Sequence, residues 1–211
     1  MQTLERLKTC GVVPVVVLND AADAVPTAKA LLDGGIDSME ITFRTAAAAE
    51  AISRVAKACP DMLVGAGTVI TAAQCEEAIS RGARFIVSPG LSEPVAAAAL
   101  AHGIPVLPGC VTPTEIIRAM ELGLSVLKFF PARVYGGLSA LKALAAPFGG
   151  ISFLPTGGVG PDNLEEYLSA PFVFGVGGSW LCNKKDIEAR NFEKITALCR
   201  EAKAAVNKIR R

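Results

Sequence analysis

Short apolar, β-branched runs alternate with helix-patterned segments along almost the whole chain, and no other feature constrains its fold as much. The runs occupy residues 12–18, 39–43, 62–65, 85–88, 105–108, 125–130, 151–155 and 172–176. Each is bounded by Gly, Pro or Asp and is too short for a helix, the pattern of strands buried on both faces. Segments with a helical apolar repeat lie between them, at 22–32, 46–58, 72–81, 93–101, 113–122, 138–145 and 161–169. A long last helix is predicted from Asp186 towards Ile209, and a separate leading helix over 4–10. Helix starts carry Ser92 with Pro94 just inside, Thr112 ahead of Pro113, and Pro161-Asp162. Gly34, Gly82, Gly103 and Gly123 stand where left-handed C-caps are expected. Eight strand–helix units without a linker predict a single domain over 1–211, a closed (β/α)₈ TIM barrel with an additional N-terminal helix plugging its bottom. The rival, an open doubly wound sheet, usually carries a glycine fingerprint after its first strand; Asn19-Asp20 stands there instead.

Composition removes several function classes. Of 211 residues, 51% are hydrophobic and 19% charged, which excludes intrinsic disorder. A formal net charge of +1 gives no basic field for nucleic acid. No apolar run approaches a membrane span, and the opening MQTLERLKTC lacks a signal-peptide core, so a soluble cytoplasmic protein is expected. The six scattered cysteines read as free thiols of a reducing compartment. With one histidine, His102, and no cysteine cluster, neither a metal nor a cofactor is expected.

In a barrel of this kind the chemistry sits at the C-terminal strand ends. There the chain places Glu40 and Arg44, GAGT from Gly65, SPG from Ser88, PGC from Pro108, Lys128 within LKFFPA, PTGG from Pro155, and GVGGS from Gly175. Strand alternation puts Val126, Lys128 and Phe130 on one face, and Glu40, Thr42 and Arg44 on one face of another strand. An ammonium ion is costly to bury alone. Lys128 is therefore either a lysine paired with a carboxylate or reaching solvent, or an amine nucleophile in a site with little water. Glu40 and Arg44 form either a buried ion pair or a general acid/base beside a bidentate clamp for a carboxylate. Thr156-Gly157-Gly158 and Gly177-Gly178-Ser179 are either tight turns or a phosphate cradle of backbone N–H groups and hydroxyls. Cys110 lies at a rim with no histidine partner and reads as a packing residue.

The runs EITFRT, GAGTV, SPGL, LKFFPA, PTGG and GGSWL, in this order, resemble the 2-keto-3-deoxy-6-phosphogluconate (KDPG) and 4-hydroxy-2-oxoglutarate aldolases, from Gly11 through Leu181. The resemblance implies a class I aldolase, a homotrimer needing no cofactor. It would cleave a phosphorylated keto acid to pyruvate and glyceraldehyde 3-phosphate in the Entner–Doudoroff pathway, or 4-hydroxy-2-oxoglutarate to pyruvate and glyoxylate. By matching motif it implies Lys128 as the Schiff-base residue and Glu40 as the proton carrier. Arg44 and Thr68 would hold the pyruvate carboxylate, Pro89 and Phe130 would line the pocket, and Thr156, Gly157, Gly158, Gly178 and Ser179 would bind the phosphate. Two positions depart from the family pattern: Arg133 stands where Glu is common, and Asn19 where a basic residue is common. The alternatives are a galactonate-derived substrate, a phosphate-binding barrel of another reaction class, and a ligand-binding barrel without catalysis.

Overall fold

The computed structural model describes residues 2–210. Helix α1 (Gln2–Cys10) leads into β1 (Val12–Val16). A 3₁₀ turn and α2 (Ala24–Asp33) follow, then β2 (Ser38–Thr42), α3 (Ala48–Ala58), β3 (Leu63–Gly67), α4 (Ala72–Ser80), β4 (Ile86–Ser88) and α5 (Glu93–Ala101). The chain continues through β5 (Val106–Pro108), α6 (Pro113–Glu121), β6 (Val126–Phe129), α7 (Gly137–Ala145), β7 (Ser152–Pro155), α8 (Leu164–Leu168) and β8 (Val176–Gly178). Helices α9 (Lys184–Glu188) and α10 (Phe192–Ile209) close it. Among the described residues, no helix is long and apolar enough to cross a membrane.

All strand pairs are parallel, as α/β connections through helices require. Six strands form one sheet in the order β5-β4-β3-β2-β1-β8, and β6 pairs with β7. Isolated parallel bridges join Gly109 to Lys128 and Thr156 to Gly177. Alternation divides the apolar side chains into two cores. Met39 and Ile41 on β2, Ala66 on β3, and Leu127 and Phe129 on β6 join the larger core with the helices. Val13, Leu63, Phe85, Val87, Leu107, Val126, Leu154 and Phe174 form a second, inner cluster, to which six strands contribute along with Phe174 just ahead of β8. Leu7 of α1 is fully buried in that cluster.

The sequence reading needs four corrections. The eighth strand is Val176–Gly178, not 172–176: Phe174 packs into the inner cluster, while Val176, Gly177 and Gly178 pair with Val12, Val13 and Pro14. The last helix is broken where Arg190 adopts φ +56°, and buried Asp186 accepts hydrogen bonds there from Asn191 Nδ2 and Lys194 Nζ. Pro161-Asp162 precedes rather than opens α8, which begins after Asn163. Gly34 has φ −87°; the left-handed residue is Gly35, at φ +82°. Gly34 is glycine for another reason, since a Cβ there would run into Cys199. Thr112 caps α6 in a reciprocal capping box with Glu115, whereas Ser92 makes no side-chain cap bond.

Candidate active site

The inner face of β2 carries a carboxylate because β3 makes room for it. Glu40 is wholly buried. Gly65 and Gly67 both face inward: a Cβ at Gly65 would strike the Phe85 ring, and one at Gly67 would strike the Glu40 carboxylate. The GAG triplet is thus a steric requirement, with glycine wherever β3 faces a bulky inner side chain and Ala66 facing the helices.

On β6 the same alternation turns Lys128 inward. It is 3% exposed, and its Nζ lies 3.6 Å from Glu40 Oε1 and 5.1 Å from the centroid of the Phe130 ring. At 3.6 Å the two groups are within ion-pair range but beyond hydrogen-bonding distance. Both Glu40 oxygens are buried without a hydrogen-bond partner, and among the described residues they are the only such side-chain atoms. Leaving a buried acceptor unmatched costs about 1–3 kcal/mol, and more for a charged one. An unmatched carboxylate beside one amine, shielded from water, has the chemistry of a proton acceptor next to a nucleophile.

Around this pair the other expected residues fall into two groups. At one side of the rim, Arg44 Nε donates to Thr68 Oγ1 at 3.2 Å. Thr68 has φ +57°, in the left-handed region that a β-branched residue strongly disfavours. The surrounding structure holds it there, and its hydroxyl accepts from the guanidinium. Alternation alone does not place Arg44, because β2 ends at Thr42, whose hydroxyl donates to Val16 O at 3.2 Å. Arg44 lies in the turn beyond, exposed.

On the other side, the half-buried Phe130 ring links the amine to the glycine loop. A Cβ at Gly157 would sit 3.3 Å from the ring, and Gly157 and Gly158 both take positive φ (+90° and +84°). The bridge between Thr156 and Gly177 brings the PTGG loop against the end of β8. Gly177 and Gly178 are strand residues rather than loop residues, a correction that leaves Ser179 as the first exposed position beyond them. Gly177 admits the Thr156 side chain and Gly178 the Trp180 ring; neither position has space for a Cβ. Pro89 is exposed beyond β4, with its carbonyl against Gly109.

Sequence reasoning missed the strain at Thr68, because GAGT reads as a glycine turn and nothing marks the threonine as the left-handed residue. It also missed buried Ser88, whose hydroxyl donates to Gly90 O at 2.6 Å and fixes the SPG turn.

Cys110 is a packing residue. It is buried, and burial pushes its thiol up to about 12, with Glu115 adding to the rise. All six cysteines are free and buried. A thiol so rarely ionised reacts slowly. Native protein treated with iodoacetamide at pH 8 is therefore expected to remain unlabelled at Cys110 over a period that fully labels urea-unfolded protein. Rapid native labelling with loss of activity would contradict this placement.

The model of the KDPG and KHG aldolase family matches residues 3–198. The chain is 48% identical over 197 residues to the 2-dehydro-3-deoxy-phosphogluconate aldolase of Treponema pallidum, covering 93% of this chain and 94% of that protein. It is 46% identical over 199 residues to the KHG/KDPG aldolase of Escherichia coli K12, covering 94% and 93%. Among solved structures, a KDPG aldolase from Legionella pneumophila superposes with a TM-score of 0.92 at 39% identity, over 96% of this chain and 98% of that one. That structure holds pyruvate captured as a covalent carbinolamine intermediate.

Proposed function

The chain belongs to the KDPG and KHG aldolase family, and from that premise we propose how its residues carry out the reaction. It is a class I aldolase, an aldehyde-lyase that cleaves 2-keto-3-deoxy-6-phosphogluconate to pyruvate and glyceraldehyde 3-phosphate. The observation that carries the mechanism is the enclosed pair, Lys128 Nζ 3.6 Å from a Glu40 carboxylate with no other partner.

The uncharged Lys128 amine attacks the C2 ketone, and Glu40 passes protons as the carbinolamine loses water. The iminium formed draws electrons from the C3–C4 bond. That bond breaks as Glu40, through a water molecule, takes the proton of the C4 hydroxyl, releasing the aldehyde and leaving an enamine on Lys128. Protonation of the enamine at C3 and hydrolysis of the resulting iminium release pyruvate and restore the amine. Arg44 and Thr68 hold the substrate carboxylate; the ion-assisted contact between them and the strained Thr68 backbone support that role. Phe130 and Pro89 line the pocket. The phosphate rests on Thr156, Gly157, Gly158, Gly178 and Ser179, a reading supported by the positive φ of the two loop glycines, which turns backbone amides outward.

We read the whole as one domain, a closed (β/α)₈ barrel, because isolated bridges stand at both gaps between the two sheets and the inner cluster draws on six strands and on Phe174 just ahead of β8. A homotrimer is part of the same reading, supported by exposed Ile70, Ile117 and Met120; light scattering at three times the chain mass is the expected result.

The test is pyruvate release measured through lactate dehydrogenase, with gluconate- and galactonate-derived substrates in parallel. Turnover of the gluconate epimer at least tenfold faster is expected. Equal rates, or preference for the other epimer, would replace the substrate assignment, and no pyruvate from either would overturn the function.

A further inference from the structure

A separate cavity lies behind the phosphate loop and shares only Gly158 with it. Arg133 and Gly158 line a cavity of about 510 Å³ together with the start of α7, Asn163, Glu166 and Tyr167, and none of Lys128, Glu40, Arg44 or Ser179 borders it. The volume suits a small metabolite.

Four observations on its walls converge. Helix α7 spans nine residues, is capped by Gly136 at φ +96°, and has no side-chain cap bond. Among the described residues, the N–H groups of Leu138 and Ser139 find no backbone acceptor, as in the first turn of helices generally, and both residues line the cavity at the positive end of the helix dipole. Tyr167 is 4% exposed as a whole residue, yet its hydroxyl is not sealed in, lines the cavity and makes no hydrogen bond to a described residue; it lies beside Gly137, where a Cβ would be 3.4 Å away. Burial, with Glu166 nearby, pushes its phenol up, so it stays a donor at neutral pH. The Arg133 stem crosses Gly158, with Cδ and Cγ 3.0 and 3.2 Å from a Cβ built there, and among the described residues the guanidinium forms no ion pair within 4 Å, not even with Glu166 on the same cavity.

We propose that this cavity binds a phosphate monoester or inorganic phosphate. The oxyanion sits on the α7 amides, the Tyr167 hydroxyl and the Arg133 guanidinium, while Glu166 accepts from hydroxyls of an attached polyol. Tetrahedral dianions match this donor set, combining helix N-terminus, hydroxyl and guanidinium. The wall is continuous with the catalytic loop. Asn163 Nδ2 donates to Gly158 O at 3.0 Å, and Arg133 N donates to Gly157 O at 2.9 Å, so occupancy here stiffens the loop.

The inference goes beyond the aldolase reading and is tested apart from it by calorimetric titration of the full chain, with inorganic phosphate in one arm and glycerol 3-phosphate in the other. Two sites per chain are expected. Arg133→Gln or Tyr167→Phe should weaken one of them at least about tenfold, the usual scale for a charge-assisted bond. Ser179→Asp should remove the other. Tighter binding of glycerol 3-phosphate identifies an organic phosphate as occupant, and equal affinity identifies the free anion. A single site that Ser179→Asp abolishes and Arg133→Gln leaves intact overturns the proposal. Thermal melts show whether each variant is folded. Borohydride trapping of pyruvate involves no phosphate, so it reports on the catalytic reading separately.

Discussion

Lys128→Met is expected to abolish aldol cleavage while leaving the chain folded but less stable. Methionine keeps the unbranched stem and deletes the amine. Losing a covalent nucleophile lowers kcat by roughly 10⁴-fold or more. Stability falls for a separate reason. Glu40 is wholly buried and, among the described residues, Lys128 is the one cation within ion-pair range of it, so the variant strands a buried carboxylate. Breaking a buried pair costs about 3–5 kcal/mol, and near 200 residues each kcal/mol moves Tm by about 2–4 °C. A fall on the order of 6–20 °C should therefore appear in a thermal melt. Lys128→Met combined with Glu40→Gln should regain much of that loss yet remain inactive. Recovered activity in the double variant would show the pair to be structural only.

Glu40→Gln is expected to lower kcat by about 10²–10⁴-fold, the range for a general acid/base, with KM for the phosphorylated substrate little altered. Glutamine fills the space that Gly67 leaves open, so packing is preserved, but an amide cannot carry the proton. Steady-state kinetics separate the outcomes. Loss in kcat marks proton transfer; a raised KM with kcat intact would mean that Glu40 only positions the substrate.

Much of this was legible in the sequence because the relevant physics is local and periodic. A charged residue in an apolar run must face one side or the other, and period-two alternation sent Lys128 and Glu40 to the same interior. The same rule correctly sorted Leu127 and Phe129 to the helix side. It failed where strands end. Arg44 is placed by a turn, not by alternation. The eighth strand was misplaced because Phe172-Val173-Phe174 looks like a strand, whereas Val176-Gly177-Gly178 makes the ladder. There, glycine answers to the bulk of the Thr156 side chain and the Trp180 ring packed against it, and Thr156 comes from a part of the chain far off in the sequence. The strain at Thr68 was hidden for a related reason: a left-handed threonine is imposed by its surroundings, against its own preference. Arg190 broke the last helix in the same way, through Asp186 and its partners, with no Gly or Pro to mark it.

The central claim is that an amine walled off from water beside an unmatched carboxylate forms an imine with a ketone. Borohydride reduction in the presence of pyruvate, followed by peptide mass spectrometry, measures this directly. One reduced pyruvyl group per chain, on Lys128 and absent from Lys128→Met, is the expected result. No adduct, or an adduct on another lysine, would contradict the account.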